Sequence, residues 1–333
     1  MKAHAVVASA PNVVEFVDVN VPEPSEDDVV IRVTHSWISN GTESSFVRGE
    51  RVSGDTPWRE GNPPPFPIVP GYQKIGIVEW VGRNVSDVSV GETVFATVSK
   101  LAGEFLMPFG GHVSPAVTPR SQVWKIPDGV DPLAVSCLVL TQVGYNCGTF
   151  TPVVPGDAAV VIGDGMVGHW AAQTLMYRGA RVMMTGKHDE RLSLLKVSAE
   201  DRVVNILRED PLQAAKEWAP TGLRLVVDTA GSVSSLEAFI PLMKRGGDLV
   251  SAGFYGTKGY IDIQRMRDKE LSLHAPAGWT KEKMDQTLAL IARGIISTTH
   301  LITHRLPVSQ VALAFDLINS RREHVLGVIL DWT

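Results

Sequence analysis

Gly163, Gly165 and Gly168 stand in G-x-G-x-x-G spacing, directly after the apolar run 158–162 and at the head of an apolar-periodic segment. The chemistry such a turn serves is the binding of a dinucleotide. Gly163 permits the tight turn, Gly165 lets a pyrophosphate approach the backbone, and Gly168 lets the helix lie against the strand. The free N–H groups at the helix start, where Met166 and Val167 follow, then attract phosphate. A second strand over 181–185 ends at Gly186, Lys187 and His188, with Arg191 one helical turn further on. An NAD-preferring fold usually places Asp or Glu there to accept hydrogen bonds from the ribose 2′-OH. A glycine in that place leaves room for a 2′-phosphate, and the cations beside it complement one, so the turn reads as an NADP(H) site rather than an NAD(H) site. Two later segments, VVDTAG (226–231) and LVSAGFYG (249–256), end strands with small residues. Ala230, Gly253, Phe254 and Tyr255 are accordingly placed along a cofactor lying across the carboxyl edges of strands, with Asp228 fixing local backbone.

The elements that must position these residues follow from periodicity. Strands are expected near 158–162, 181–185, 202–205, 224–228, 247–252 and 270–273, with helices between most of them, which makes a parallel, doubly wound sheet. Residues 2–34 alternate as strands, and 68–97 do so again with glycines at the bends, so the N-terminal part is β-rich. Between them, 49–67 is a Gly-, Pro- and charge-rich loop that reads as a lid or substrate loop, with Trp58 and Arg59 as candidates for contact. Phe46, Trp58, Phe66 and Trp279 are candidates for an aromatic lining. Helical spacing recurs over 132–147, 281–293 and 308–320, and a last apolar strand, VLGVILDW, is expected to return to a sheet begun earlier.

Length and composition bound the rest. At 333 residues the chain exceeds one typical core, so two domains are expected. A net charge of −5 supplies no basic field for a nucleic acid. No apolar run approaches the roughly 20 residues that span a bilayer, and residues 1–10 lack the layout of a signal peptide, so a cytoplasmic protein is expected. Cys137 and Cys147, ten residues apart, match neither a zinc knuckle nor a disulfide scaffold and read as small core residues.

Taken together, ISNGTE (38–43), VPGYQKIGIVEWVG (69–82), VGETV (90–94), the glycine turn, VVDTAG, GGDLVSAGFYG (246–256) and LITHRLP (301–307) resemble the medium-chain dehydrogenase/reductase superfamily over the whole chain. The short motifs ISNGTE, VPGY, GFYG, LITHR and LDW are similar to a zinc-lacking branch that includes the bacteriochlorophyllide hydroxyethyl dehydrogenases. The resemblance implies an α/β fold: a doubly wound Rossmann domain over 128–275 and a β-rich GroES-like catalytic domain over 1–127 with 276–333. Zinc-dependent relatives carry Cys-Gly-Ser/Thr-Asp where this chain has Asn40, Gly41, Thr42 and Glu43, and Gly-His-Glu where it has Gly71, Tyr72 and Gln73. Cys137 lies slightly out of place for the third metal region, and the structural zinc lobe has no counterpart. Asn and Tyr are poor zinc ligands beside thiolate and imidazole, so no catalytic zinc is expected.

With the metal gone, the resemblance leaves Asn40, Thr42 and Tyr72 to surround the substrate oxygen, Tyr72 as proton donor, with Glu43 supporting them and His112 bordering the cleft. His304 reads as structural. The function implied is a zinc-independent, NADP(H)-dependent alcohol dehydrogenase or carbonyl reductase acting on a small molecule. A quinone or enone reductase, a pigment dehydrogenase, and a silent NADPH-binding protein are the alternatives. Superfamily members commonly pair through an edge strand, so a homodimer joined through LVSAGFYG and GYIDI is expected.

Overall fold

The computed structural model describes residues 1–320, 322 and 324–333. Its contacts divide the chain into two compact units, Met1–Val139 with Thr298–Thr333, and Leu140–Ser297.

In the second unit, six strands lie in the order Arg202–Asn205, Arg181–Gly186, Ala158–Ile162, Leu223–Asp228, Met243–Ser251 and Ser272–His274, every adjacent pair parallel. The alternation of the central strand explains its burial on both faces. Ala158, Val160 and Ile162 enter one core cluster, while Ala159 and Val161 enter another on the opposite side. Each fully buried Val or Leu of these layers contributes about 1.5–3 kcal/mol. The helix Leu138–Thr149 packs closely on Met166–Tyr177 because Gly144 and Gly148 lack side chains. A Cβ at either would lie 2.6 Å from the Trp170 Cβ or 2.7 Å from the Thr174 Cβ.

Sequence boundaries at 128 and 275 become 140 and 297 in the contact-defined units. The helix Lys281–Ala292 is the reason at the later boundary. Lys283 bonds to Asn146, Gln286 accepts from the Tyr145 hydroxyl at 2.8 Å, and Ser297 takes the Trp170 indole proton at 3.1 Å. A second correction concerns the sheet edge. LVSAGFYG belongs to an interior strand, and GYIDI forms no strand; the edge is Ser272–His274, whose pairing with Met243–Ser251 leaves its other side open.

The first unit holds two larger sheets and the two-stranded pair Arg51–Ser53 with Thr56–Pro57 among the described residues. One runs Val123–Lys125, Thr93–Ala96, Lys74–Val81, Asp28–Ile38, Gly327–Asp331 and Ile302–Pro307, with Ala116–Pro119 also on Asp28–Ile38. The other joins Lys2–Ala10 to Val13–Asn20, Val113–Ser114 and Ile68–Val69, and the last of these to Met107–Pro108. The final strand does return to an early one: Val328 to Asp331 pair with Ile38 to His35. Phe46 is buried in the core, with Phe66 packed against the same cluster, so these aromatics are structural. His304 bonds locally to the Thr303 hydroxyl at 2.9 Å. Both cysteines are buried and free, and burial pushes the Cys147 thiol up to about 12.

Candidate functional site

Three glycines of the dinucleotide turn have three different surroundings. Gly163 has φ +116°, and a Cβ there would lie 2.5 Å from the Thr229 hydroxyl oxygen. At Gly168 it would lie 2.1 Å from the Gly163 carbonyl oxygen. At Gly165 it would meet nothing within 4 Å, so this glycine opens onto free space rather than onto protein. Gly165 is also the N-cap of Met166–Tyr177 and caps it with no side chain. A helix start with uncapped N–H groups, next to an open glycine, fits a pyrophosphate. Met166 is buried and Val167 half-buried at that start.

The end of Arg181–Gly186 differs from the sequence expectation in one respect. The space beside Gly186 is filled by Asp164, the middle residue of the G-x-G: a Cβ on Gly186 would lie 2.4 Å from the Asp164 Cβ. Asp164 Oδ2 accepts from the Lys187 N–H at 2.7 Å, the His188 N–H at 2.9 Å and the His188 ring at 2.9 Å. Arg191 lies 3.6 Å from Oδ1. Burial opposes ionisation of Asp164, but these bonds outweigh it and hold the carboxyl below its usual range. An acid is thus present at this turn, delivered from the glycine loop instead of the strand end. Its charge is spent inside the turn, while Lys187 and His188 remain exposed.

Asp228 closes the neighbouring strand ends. Its oxygens accept from the Ala230 N–H at 2.8 Å, the Ser232 N–H at 2.9 Å and the Tyr255 hydroxyl at 2.6 Å. Gly253 approaches Gly231 so closely that a Cβ would lie 2.1 Å from the Gly231 nitrogen. Ala230, Gly253, Phe254 and Tyr255 therefore belong to two interlocked loops of the second unit. Beyond Tyr255 a depression of about 480 Å³ is lined also by Ser232, Glu237 and Lys258.

In the first unit, Thr42 and Glu43, at the start of the helix Thr42–Val47, come together with Tyr72, which precedes the strand Lys74–Val81, and Asn40 lies just ahead of that helix. The Tyr72 hydroxyl bonds to the side chains of Ser39 and Thr42. Burial, then the Glu43 charge, push it well above the ordinary phenol range, while those two bonds and Arg51 act the other way. Asn40 Nδ2 donates to the Leu326 carbonyl at 2.6 Å, whereas its Oδ1 is buried without a hydrogen-bond partner. Such an acceptor calls for a donor from outside. Glu43 and His112 lie together but out of reach of solvent, 1% and 0% exposed, with 2.7 Å between Glu43 Oε2 and His112 Nε2. Sequence reasoning missed Ser39, Arg51 and Lys74. Lys74 is fully buried, its ammonium donating to the carbonyls of Thr97 and Gly110, and burial pushes it down to about 7.

This donor set does not fit the zinc that the fold family implies. Of the side chains at the family's metal positions, Asn40 and Gln73 offer amides and Tyr72 a protonated phenol. Gln73 Nε2 is directed at the Trp37 carbonyl, and both ring nitrogens of His112, which packs on Gly71, are engaged by protein groups. Among the described residues, no three His, Cys, Asp or Glu cluster so as to hold an ion.

Two family models match: the alcohol dehydrogenase GroES-like domain over 25–128 and the zinc-binding dehydrogenase over 166–293. A curated relative, 2-desacetyl-2-hydroxyethyl bacteriochlorophyllide A dehydrogenase of Cereibacter sphaeroides, is 26% identical over 100% of this chain and 99% of its own. An Escherichia coli oxidoreductase/dehydrogenase of unknown specificity superposes with a TM-score of 0.87 at 19% identity, covering 99% of both chains. A Sinorhizobium meliloti structure bound to NADP does so at 0.84 and 19%, again over 99% of both. With an all-parallel sheet behind a glycine turn in one unit and a GroES-like β-rich fold in the other, the chain belongs to the medium-chain dehydrogenase/reductase superfamily and is an oxidoreductase.

Proposed function

We propose that the chain is a zinc-independent, NADP(H)-dependent alcohol dehydrogenase or carbonyl reductase for a small-molecule substrate. The observations that carry this reading are the hydroxyl cluster of Tyr72, Thr42 and Ser39 and the open acceptor Asn40 Oδ1, with Asn40 and Tyr72 at the positions where relatives place metal ligands. A bound nicotinamide supplies the hydride acceptor or donor. The chain's task is to hold the substrate oxygen and manage its charge. Tyr72 donates a hydrogen bond to that oxygen and passes it a proton on reduction, and Thr42 and Ser39 keep the phenol oriented. Because burial and Glu43 keep Tyr72 protonated through neutral pH, it serves as donor rather than as base. Asn40 accepts from a substrate hydroxyl.

Gly163, Gly165, Met166 and Val167 hold the pyrophosphate. Lys187, His188 and Arg191, around Gly186, meet the 2′-phosphate, with Asp164 as an internal countercharge. Ala230, Gly253, Phe254 and Tyr255 border the rest of the cofactor. The NADP of the Sinorhizobium structure supports the cofactor, and the hydroxyethyl group in the relative's name supports a carbinol–carbonyl pair. No described helix is long and apolar enough to cross a membrane. A homodimer is proposed through the open edge Ser272–His274.

The test is NADPH consumption with aldehydes, ketones, quinones and enones. Turnover of aldehydes or ketones is expected. Turnover confined to conjugated acceptors, or binding without any turnover, contradicts the reading.

A further inference from the structure

Behind Tyr72 runs a line of polar groups, three of them buried, that begins at the half-buried Trp332. The Trp332 indole donates to Ser36 Oγ at 2.9 Å, Ser36 Oγ lies 2.8 Å from His112 Nδ1, and His112 Nε2 lies 2.7 Å from Glu43 Oε2. The remaining Glu43 oxygen accepts the Ser39 N–H at 2.8 Å. Proton accounting gives this line one direction. An indole can only donate, so Ser36 accepts there and turns its own proton to His112 Nδ1; Nε2 then carries the ring proton and gives it to Glu43. Every donor thereby faces an acceptor.

The line is built into the fold rather than laid on it. Ser36, His112 and Glu43 are 0%, 0% and 1% exposed. Gly71, the residue before Tyr72, has φ +88°, and a Cβ on it would strike the His112 ring at 2.5 Å. A Cβ on Gly111 would in turn lie 2.0 Å from the Gly71 carbonyl carbon. The two loops carrying Tyr72 and His112 thus require glycine where they touch. Ser39 connects them to the phenol, since its N–H holds Glu43 while its side chain meets Tyr72.

We propose that Trp332, Ser36, His112 and Glu43 form a positioning chain that fixes a negative charge behind the Tyr72 hydroxyl and so keeps it in its donating form. None of the four touches substrate. The inference rests on the reading of Tyr72 as the donor to the substrate oxygen. Other charges bear on the same hydroxyl: Arg51, from the strand Arg51–Ser53, opposes Glu43 but is itself paired with Asp55. Lys74, two residues along from Tyr72, is turned to the Thr97 and Gly110 carbonyls.

The experiment compares the alkaline limb of the kcat–pH profile with the ultraviolet titration of tyrosine in the parent, Tyr72→Phe, Glu43→Gln and Glu43→Asp. Glu43→Gln keeps the shape and the acceptor but removes the charge. It is expected to move the limb, and the tyrosine titration missing from Tyr72→Phe, down by about one pH unit or more. Glu43→Asp should stay near the parent. An unmoved limb in folded Glu43→Gln overturns the inference even if Tyr72→Phe is inactive, whereas full turnover in Tyr72→Phe overturns the underlying reading. Nitrogen chemical shifts of His112 in the parent test the chain without any substitution. A proton on Nε2 is expected from this bond pattern, and a proton on Nδ1 alone contradicts it.

Discussion

The glycine turn of the second unit and the hydroxyl cluster of the first both manage a buried negative charge, and they do so in opposite ways. Asp164 faces Arg191, the His188 ring and two backbone N–H groups, so its charge is met where it stands, and Lys187 is left exposed beside it. Glu43 faces an imidazole and one N–H, and its charge is felt by Tyr72. In the proposed function one carboxylate organises a surface for an anion and the other tunes a hydroxyl.

The sharpest way to break the comparison is Tyr72→Phe. Loss of the donor predicts a fall in kcat of about 10²- to 10⁴-fold with cofactor affinity unchanged, read by steady-state kinetics and NADPH titration. A change confined to KM would move Tyr72 from chemistry to binding. Next in size, Gly168→Ala forces a Cβ to within 2.1 Å of the Gly163 carbonyl. It should cost about 1–3 kcal/mol of stability by urea unfolding and reduce dinucleotide binding. Lys187→Ala with Arg191→Ala addresses the cationic side of the comparison. It should weaken NADPH by about 1–2 kcal/mol and leave NADH nearly unchanged; equal losses for both would remove the 2′-phosphate from the explanation.

A further test is a pH effect at Lys74, a fully buried lysine of the first unit. Its folded value of about 7 lies below the ordinary lysine value of 10.5, so between these limits the unfolded chain binds more protons than the folded one. Stability therefore rises with pH across that window, and the penalty for burying the ammonium is greatest below it. Urea midpoints from pH 6 to about 10 should climb in the parent and flatten in Lys74→Met.

Elements whose cause is local were legible in the sequence. The strands Ala158–Ile162 and Arg202–Asn205 lie where apolar runs placed them, and the three glycines act through sterics that spacing alone dictates. What escaped depends on contacts distant in the chain. Asp164 reads as a variable residue of a glycine loop until the fold brings Gly186 against it. Glu43 and His112, separated by 69 positions, were each recognised as candidates, but nothing local announces that they pair. Ser36, Trp332 and Lys74 gave no sign at all, since a serine, a terminal tryptophan and a lysine in a strand are ordinarily placed by solvent or packing. The helix Lys281–Ala292 shows the same limit at the scale of domains. Its periodicity was plain, yet its attachment to Tyr145 and Asn146 was not.

The central claim is that hydroxyls and an amide stand where relatives place a metal. It is tested most directly by measuring carbonyl-dependent NADPH turnover on protein whose zinc content is determined before and after exhaustive chelation. Undiminished turnover at far less than one zinc per chain is the predicted result. A stoichiometric zinc whose removal abolishes turnover, and whose return restores it, would contradict the account.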